Sequence, residues 1–355
     1  MSHTRTTPLR VGIMSFAHVH ATSYARLLAD WPGVELLGTD PDGADDRGAS
    51  SAPAHRELRG RALATELGIN YVDSYRELLD WKPDAVIVTS ANSRHRELVE
   101  QAALTGAHVL CEKPLATTRE DALAMTAACR NAGVILMTAY PVRFSPAFEQ
   151  LKTYAADNRL GELLAMTGTN NGRIPVGDRA WFTDPELSGG GALVDHVVHV
   201  ADLIDALTGL RAVSVHAAAN RILHSDKPEV RAETGGLVTI TYENGLIATI
   251  DCSWSQPDYA PTWGGLTLQV VGSEGIATIN PFAQHVGGFS EAQRSSLFLP
   301  YGMDTDRLMI EAFLSGVRTG TQPQPDAAVG VRTLDIVLAA QRSAATGEVV
   351  QVAQD

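Results

Sequence analysis

At Val109-Leu110-Cys111-Glu112-Lys113-Pro114-Leu115 an apolar run ends abruptly in an acid, a base and a proline. Ala107 to Cys111 reads as a short buried strand. Proline has no N–H to give a ladder, so the chain turns at the strand's carboxyl end. It turns while carrying Lys113. In an open α/β sheet, ligands bind in the crevice outside the carboxyl ends of the strands. A lysine there can move a proton when burial or a neighbouring charge tunes it. An exposed Glu112–Lys113 pair on a loop is the plainer reading, and the flanking sequence decides against it.

Upstream, Leu9 to Phe16 reads as a strand, Val19 to Trp31 as a helix ended by Pro32-Gly33, and Val34 to Gly38 as a second strand. This is a βαβ unit of about thirty residues. Asp40 at the second strand's tip can bond both hydroxyls of an adenosine ribose and repel a 2′-phosphate, which favours NAD over NADP. The run Thr39-Asp40-Pro41-Asp42-Gly43 can equally be a plain turn. Where a dinucleotide loop carries G-x-G-x-x-G, this chain has Ser15-Phe16-Ala17-His18-Val19-His20. Ser15 and Ala17 are small, and His20 is bulky. On an extended loop His18 and His20, two apart, point opposite ways.

Ser51 to Leu67 is a polar helical stretch with Arg56, Arg59 and Arg61. Tyr71 begins a short strand, and Tyr75 to Trp81 is a helix. Ala85 to Thr89 is an apolar strand leading into Ser90-Ala91-Asn92, small polar residues suited to a ribose and phosphates. His95 opens a helix to Leu104. Arg119 to Asn131 is another, and Val134 to Ala139 is a strand reaching Tyr140. The alternation predicts a Rossmann-type, doubly wound parallel sheet over residues 1–140.

From 141 to 355 the rhythm predicts an α+β domain on an open, mostly antiparallel sheet. Its strands are expected at 163–169, 213–222, 235–242, 246–253, 265–271 and 275–280. Residues 170–185 read as a loop, and 282–302 as a weakly patterned, mobile segment. Helices at 304–318 and 326–346 are expected to pack back on the first domain.

The chain has 355 residues and a formal net charge of −13, which argues against nucleic-acid or anionic-membrane partners. Three scattered cysteines, Cys111, Cys129 and Cys252, suit a reducing cytoplasm. No apolar stretch is long enough to span a membrane.

A second constellation starts at Ser188-Gly189-Gly190-Gly191 and continues through Asp195, His196, His199 and Asp202. On a helix Asp195 and His199 share a face. The carboxylate can then orient the imidazole, and the imidazole can move a proton at neutral pH. Asp202 is placed to support His199, while His196 faces away and reads as structural.

With both constellations in view, the chain resembles the Gfo/Idh/MocA family over nearly its whole length. The residues that carry the likeness are 85–89 with His95 and Glu97, 108–116, Arg143-Phe144, and 188–191 running into Asp195, His199 and Asp202. The resemblance implies a Rossmann domain and a C-terminal sheet that pairs subunits, giving a homodimer or homotetramer. It implies NAD-dependent oxidation of a sugar or polyol hydroxyl. Lys113, His199 and Asp195 would be catalytic. Ser15, Phe16, Ala17, His18, Asp40, Thr89, Asn92, His95, Glu112 and Lys113 would hold the cofactor. Tyr140 and Arg143 would join Lys113, Asp195 and His199 around the substrate.

The family's three glycines are replaced by Ser15, Ala17 and His20, and a glycine two before His199 by Val197. Two other readings therefore stand beside the dehydrogenase: redox-neutral chemistry on a tightly held NAD, and a metal-dependent lyase, hydrolase or isomerase. The metal reading draws on His18, His20, Asp195 and His199, ligand types suited to zinc or manganese. A non-catalytic sugar or nucleotide sensor is a fourth. Arg173, Arg179, Trp181, Trp254 and Trp263 are either sugar-pocket or core residues.

Overall fold

The computed structural model describes residues 7–44, 58–175, 179–260, 262–292 and 294–354. The first half alternates strand and helix. Its elements are β1 (Leu9–Met14), α1 (His20–Ala29), β2 (Val34–Thr39), α2 (Gly60–Leu67), β3 (Asn70–Tyr71), α3 (Tyr75–Asp80) and β4 (Ala85–Val88). They continue with α4 (His95–Leu104), β5 (His108–Cys111), α5 (Arg119–Ala132) and β6 (Leu136–Thr138). The six strands form one sheet in the order β3-β2-β1-β4-β5-β6, each pair parallel. Helices cover both faces, so β4 is buried at every residue and its sequence is unbroken Ala-Val-Ile-Val. Strand order reverses between β1 and β4. The crevice opens there, and β5 delivers Glu112-Lys113-Pro114 beside it.

The second half contains α6 (Pro146–Ala156), β7 (Leu163–Arg173), α7 (Pro185–Ser188), α8 (Val198–Thr208), β8 (Ala212–Asn220), β9 (Gly235–Tyr242) and β10 (Ile247–Gln256). It ends with β11 (Gly264–Gly272), β12 (Gly275–Ile279), β13 (His285–Ser290), β14 (Ser295–Pro300), α9 (Thr305–Thr319), α10 (Ala327–Thr346) and β15 (Val350–Gln351). The large sheet runs β12-β11-β7-β10-β9-β8-β15, with β7 and β10 parallel and the other pairs antiparallel. Along β10, exposed and buried residues alternate, and Ala248, Ile250, Cys252 and Trp254 face inward. Val200, Leu203 and Ile204 of α8 and Ile336, Val337 and Ala340 of α10 pack on that inner face. The sheet thereby fixes the helix that carries His199.

The last helices reach the parallel sheet. Ser23 donates to Asp306 at 2.7 Å, and Thr138 N–H to the Pro325 carbonyl at 3.0 Å. Among the described residues no helix is long and apolar enough to cross a membrane. All three cysteines are unpaired and buried.

Three expectations need correction. β7 continues to Arg173, because Asn170 and Asn171 pair across to Leu266 and Gly265. Residues 285–300 form an antiparallel hairpin, with Gly287 opposite Phe298. Its glycines and serines mask the strand pattern, and cross-strand pairing supplies the order. The stretch expected as helix from Ser51 is extended at Arg59 and helical from Gly60 to Leu67, and residues 51–57, Arg56 included, lie outside the described residues.

Candidate active site

The turn after β5 is held from below by His95. Its ring is wholly buried, with Nδ1 at 3.1 and 3.2 Å from the carbonyls of Pro114 and Leu115 and Nε2 at 3.3 Å from that of Ser90. His95, expected at the cofactor, thus has both ring nitrogens on main-chain carbonyls and shapes the turn. Lys113, 4% exposed, sends Nζ across to the second half of the chain. It donates to Asp195 Oδ1 at 2.6 Å and to the Asp195 carbonyl at 3.2 Å. Trp254 Nε1 donates to Asp195 Oδ2 at 3.0 Å. Burial alone would raise the Asp195 carboxyl, but Lys113 and His196 hold it well below the usual range.

The three glycines explain how Asp195 gets there. A Cβ on Gly191 would lie 1.9 Å from the Glu233 carbonyl oxygen, so the segment before β9 can lie on the helix start only over glycine. Glu233 Oε1 accepts from the N–H groups of Gly191 at 2.8 Å and Leu193 at 3.1 Å, satisfying donors a helix start leaves unpaired. Glu233 lies far off in sequence, and nothing in its local pattern marks this role.

The helix is not regular. Leu193–Val197 is a π-helical turn before α8, and the Asp195 carboxylate is taken up by Lys113 and Trp254, with no hydrogen bond to His199 among the described residues. His196 instead comes within 3.1 Å of Asp195 Oδ2, off the line of a hydrogen bond, and its Nδ1 meets the Asn170 carbonyl at 2.6 Å. It is therefore part of the Asp195 surroundings and does not face away. Asp202 does not support His199. Arg143 Nε lies 3.1 Å from both Asp202 oxygens, and Nη2 lies 2.5 Å from Oδ1. Arg143, expected around the substrate, is thus paired with Asp202. Tyr140 is buried, and its hydroxyl is 2.8 Å from that of Thr333, so only its ring edge meets His199, with centroids 5.8 Å apart.

Burial, then the charge of Lys113, lowers the His199 imidazole well below its ordinary value. Its Nδ1 is buried without a partner among the described residues. A narrow pocket leads to this region, lined by Asn92, Lys113, Pro114, Phe182, Gly190 and Asp195.

The loop after β1 is built without glycine. Ser15 adopts a left-handed φ of 77°, and its hydroxyl donates to Asp40 Oδ1 at 3.0 Å. Thr89 ties its own hydroxyl to the Ser15 carbonyl at 2.6 Å. Phe16 is wholly buried, and Trp181 Nε1 donates to the Ala17 carbonyl at 3.1 Å. Asp40 sits at the tip of β2 as expected, but its carboxylate is not open to a ribose. Arg59 spans it at 2.8 and 3.1 Å, and the Gly60 N–H adds a bond at 3.0 Å. Asn92 donates to the Ser188 carbonyl at 2.8 Å.

His18 and His20 were expected on opposite sides. Their rings instead lie 4.4 Å apart, because Val19 already has helical φ and ψ and the loop is not extended. Both face Glu112, and neither joins Asp195 in a ligand cluster, which overturns the metal set drawn from His18, His20, Asp195 and His199. Of the five pocket-or-core residues, Trp254 is core and supports Asp195. Arg173 bonds the carbonyls of Thr262 and Ala260, and Arg179 and Trp181 pack on the first loop.

A doubly wound parallel sheet of this order, with a lysine at its carboxyl edge, defines a Rossmann-type α/β enzyme. Residues 46–140 match the family described as "Oxidoreductase family, NAD-binding Rossmann fold", and residues 148–278 match "GFO/IDH/MocA C-terminal domain". The chain is 32% identical over 301 residues to the 1,5-anhydro-D-fructose reductase of Ensifer adhaerens, spanning 83% of this chain and 88% of that one. It is 29% identical over 357 residues to the D-glucoside 3-dehydrogenase of Escherichia coli, with 98% of each chain covered. In fold it is similar to GenD2 from gentamicin A biosynthesis in complex with NAD, at TM-score 0.84 and 24% identity over 99% of this chain and 98% of that one. The chain belongs to the Gfo/Idh/MocA family of oxidoreductases.

The residues present accommodate a dinucleotide and a substrate. His18 Nε2, Asn92 Oδ1 and His199 Nδ1 are buried polar atoms with no partner among the described residues. Each costs about 1–3 kcal/mol while unpaired. All three belong to residues that line or adjoin the crevice, where a ligand can satisfy them.

Proposed function

We propose that this enzyme oxidises a hydroxyl of a sugar, sugar derivative or cyclitol, with NAD as acceptor. One observation carries the reading. Lys113 has three N–H donors, and only two are spent on Asp195. The third remains for a substrate oxygen. His199, kept uncharged by burial and by Lys113, is ready to take the hydroxyl proton. Lys113 thus orients and polarises the hydroxyl, His199 accepts the proton, and Asp195 holds Lys113 in place. When bound, the nicotinamide ring supplies the hydride acceptor. The substrate class draws support from relatives named for anhydrofructose, xylose, glucosides and inositol.

We take the cofactor as NAD because Arg59, the cation placed to receive a 2′-phosphate, is spanned across Asp40. Residues 1–140 would form the cofactor domain and 141–355 the substrate and assembly domain, in a cytoplasmic homo-oligomer. The assembly reading draws support from the outer face of the large sheet. Its cross-strand rows carry Thr167, Thr249 and Thr239, then Thr169, Asp251 and Leu237, so charge is sparse where solvent-facing strands usually carry it. A panel of aldoses, anhydrosugars and cyclitols, read by NADH absorbance, tests the proposal. At least one should accumulate NADH. Substrate loss without absorbance change would point to redox-neutral chemistry.

A further inference from the structure

His18, His20 and Glu112 meet at the crevice beside the start of α1. We propose that these three side chains form a binding site for one divalent transition-metal ion, with zinc best matched. The site shares His18 and Glu112 with the residues expected to hold the dinucleotide, so the proposal is for the protein free of cofactor.

The donor set is two imidazoles and one carboxylate, which suits zinc and its neighbours. Their candidate ligand atoms all lie within 4.8 Å of one another. Measured from Glu112 Oε1, His20 Nδ1 is at 3.0 Å and His18 Nδ1 at 3.8 Å. A tetrahedral ion with bonds of about 2.0–2.2 Å sets neighbouring ligand atoms about 3.3 Å apart. The observed spacings bracket that value, so small side-chain movements suffice.

The charge balance points the same way. Glu112 is wholly buried at the end of β5. Among the described interactions, no lysine or arginine side chain bonds its carboxylate. Its partners are His20, the Tyr24 hydroxyl at 2.7 Å and the Lys113 main-chain N–H at 3.1 Å. Its side-chain nitrogen partners are thus imidazoles alone, and a bound ion would take the carboxylate and both rings together. Tyr24 meanwhile fixes the orientation of the carboxylate, as outer partners of metal ligands do.

His18 supplies an independent sign. It is 2% exposed, and its Nε2 has no partner. Its Nδ1 receives only a long bond, 3.2 Å, from the His20 main chain. That long bond is the ring's one hydrogen bond among the described residues, and a small movement frees the nitrogen facing Glu112 for an ion. His20 is part-exposed, which leaves a path for water to a fourth coordination position. Three protein ligands and one exchangeable position is the form of an open site. Asp195 and His199 lie outside it: the Asp195 carboxylate is taken by the Lys113 ammonium, and the cluster of candidate ligand atoms holds His18, His20 and Glu112.

The test uses full-length protein stripped with a chelator and titrated with Zn²⁺ by calorimetry. Co²⁺ absorption then reports the geometry. The expected result is one ion per chain and a four-coordinate cobalt spectrum. His20→Ala and Glu112→Gln should each weaken binding at least a hundredfold. His20 is part-exposed, so His20→Ala keeps the test open should Glu112→Gln fail to fold. Absence of saturable binding to the unaltered protein would overturn the proposal. So would retention of full affinity in His20→Ala.

Discussion

At the scale of single residues, the site rests on one carboxylate shared by several donors. Asp195 is held by Lys113 and Trp254, and that arrangement leaves Lys113 a spare N–H and His199 a spare nitrogen. The His199 imidazole titrates below its ordinary 6.5 in the folded protein, through burial and Lys113, with Asp195 opposing and His196 adding to the effect. Between that lowered value and 6.5 the unfolded chain binds the extra proton. Its contribution to stability is therefore full above pH 6.5 and is lost as pH falls below it. Urea melts across pH 5 to 8 should show this slope, to which the lowered His18, His95 and His108 add, and His199→Asn should reduce it. Asp40 is the second residue-scale case. Its carboxylate is wholly buried against Arg59, so Asp40→Ala removes one partner of a buried ion pair. The loss should be about 3 kcal/mol of folding stability, more than a simple ribose contact would account for. A denaturation midpoint unchanged in Asp40→Ala would return Asp40 to the role of a ribose ligand.

At the scale of elements, the turn after β5 was legible because proline stops a strand and its neighbours announce a crevice. The alternation of strands and helices was legible for the same local reason. The helix start at 191–199 was not. Its apolar spacing reads as a regular helix, whereas Leu193–Val197 forms a π turn, Asp195 bonds Lys113 and Trp254, and His196 comes within 3.1 Å of its carboxylate. Glu233 stabilises that turn from the segment before β9, and a pairing so remote leaves no local pattern. His18 and His20 were misjudged because the helical geometry begins at Val19, one residue before the helix itself. The glycine requirement at 191 makes this element testable. Gly191→Ala puts a methyl 1.9 Å from the Glu233 carbonyl, so the helix start and the segment before β9 cannot both keep their places. We expect a loss above about 3 kcal/mol, or no folded protein, read by thermal melting. Gly209, with no atom within 4 Å of a built Cβ, is the control; its αL conformation limits the cost of alanine to about 1–2 kcal/mol.

At the scale of the whole molecule, two sheets share the work. The parallel sheet supplies Lys113 and the crevice, and the large sheet fixes α8 and with it His199. Lys113 and Asp195, 82 positions apart, join the two halves through one ion pair. The outer face of the large sheet belongs to this scale too. Leu237 and Ile247 stand 63% and 48% exposed among its threonines. If that face joins subunits, Leu237→Asp with Ile247→Asp should lower the mass measured by light scattering to that of one chain. An unchanged multimer would move the interface elsewhere.

The central claim is that Lys113 positions and polarises a hydroxyl while His199 takes its proton. It is tested most directly by measuring turnover and NAD affinity together in Lys113→Ala, with a substrate from the sugar panel. The account predicts a fall in kcat of about 10²–10⁴-fold, with NAD affinity changed only a few-fold. Turnover within a few-fold of the unaltered enzyme would contradict it and remove Lys113 from the chemistry.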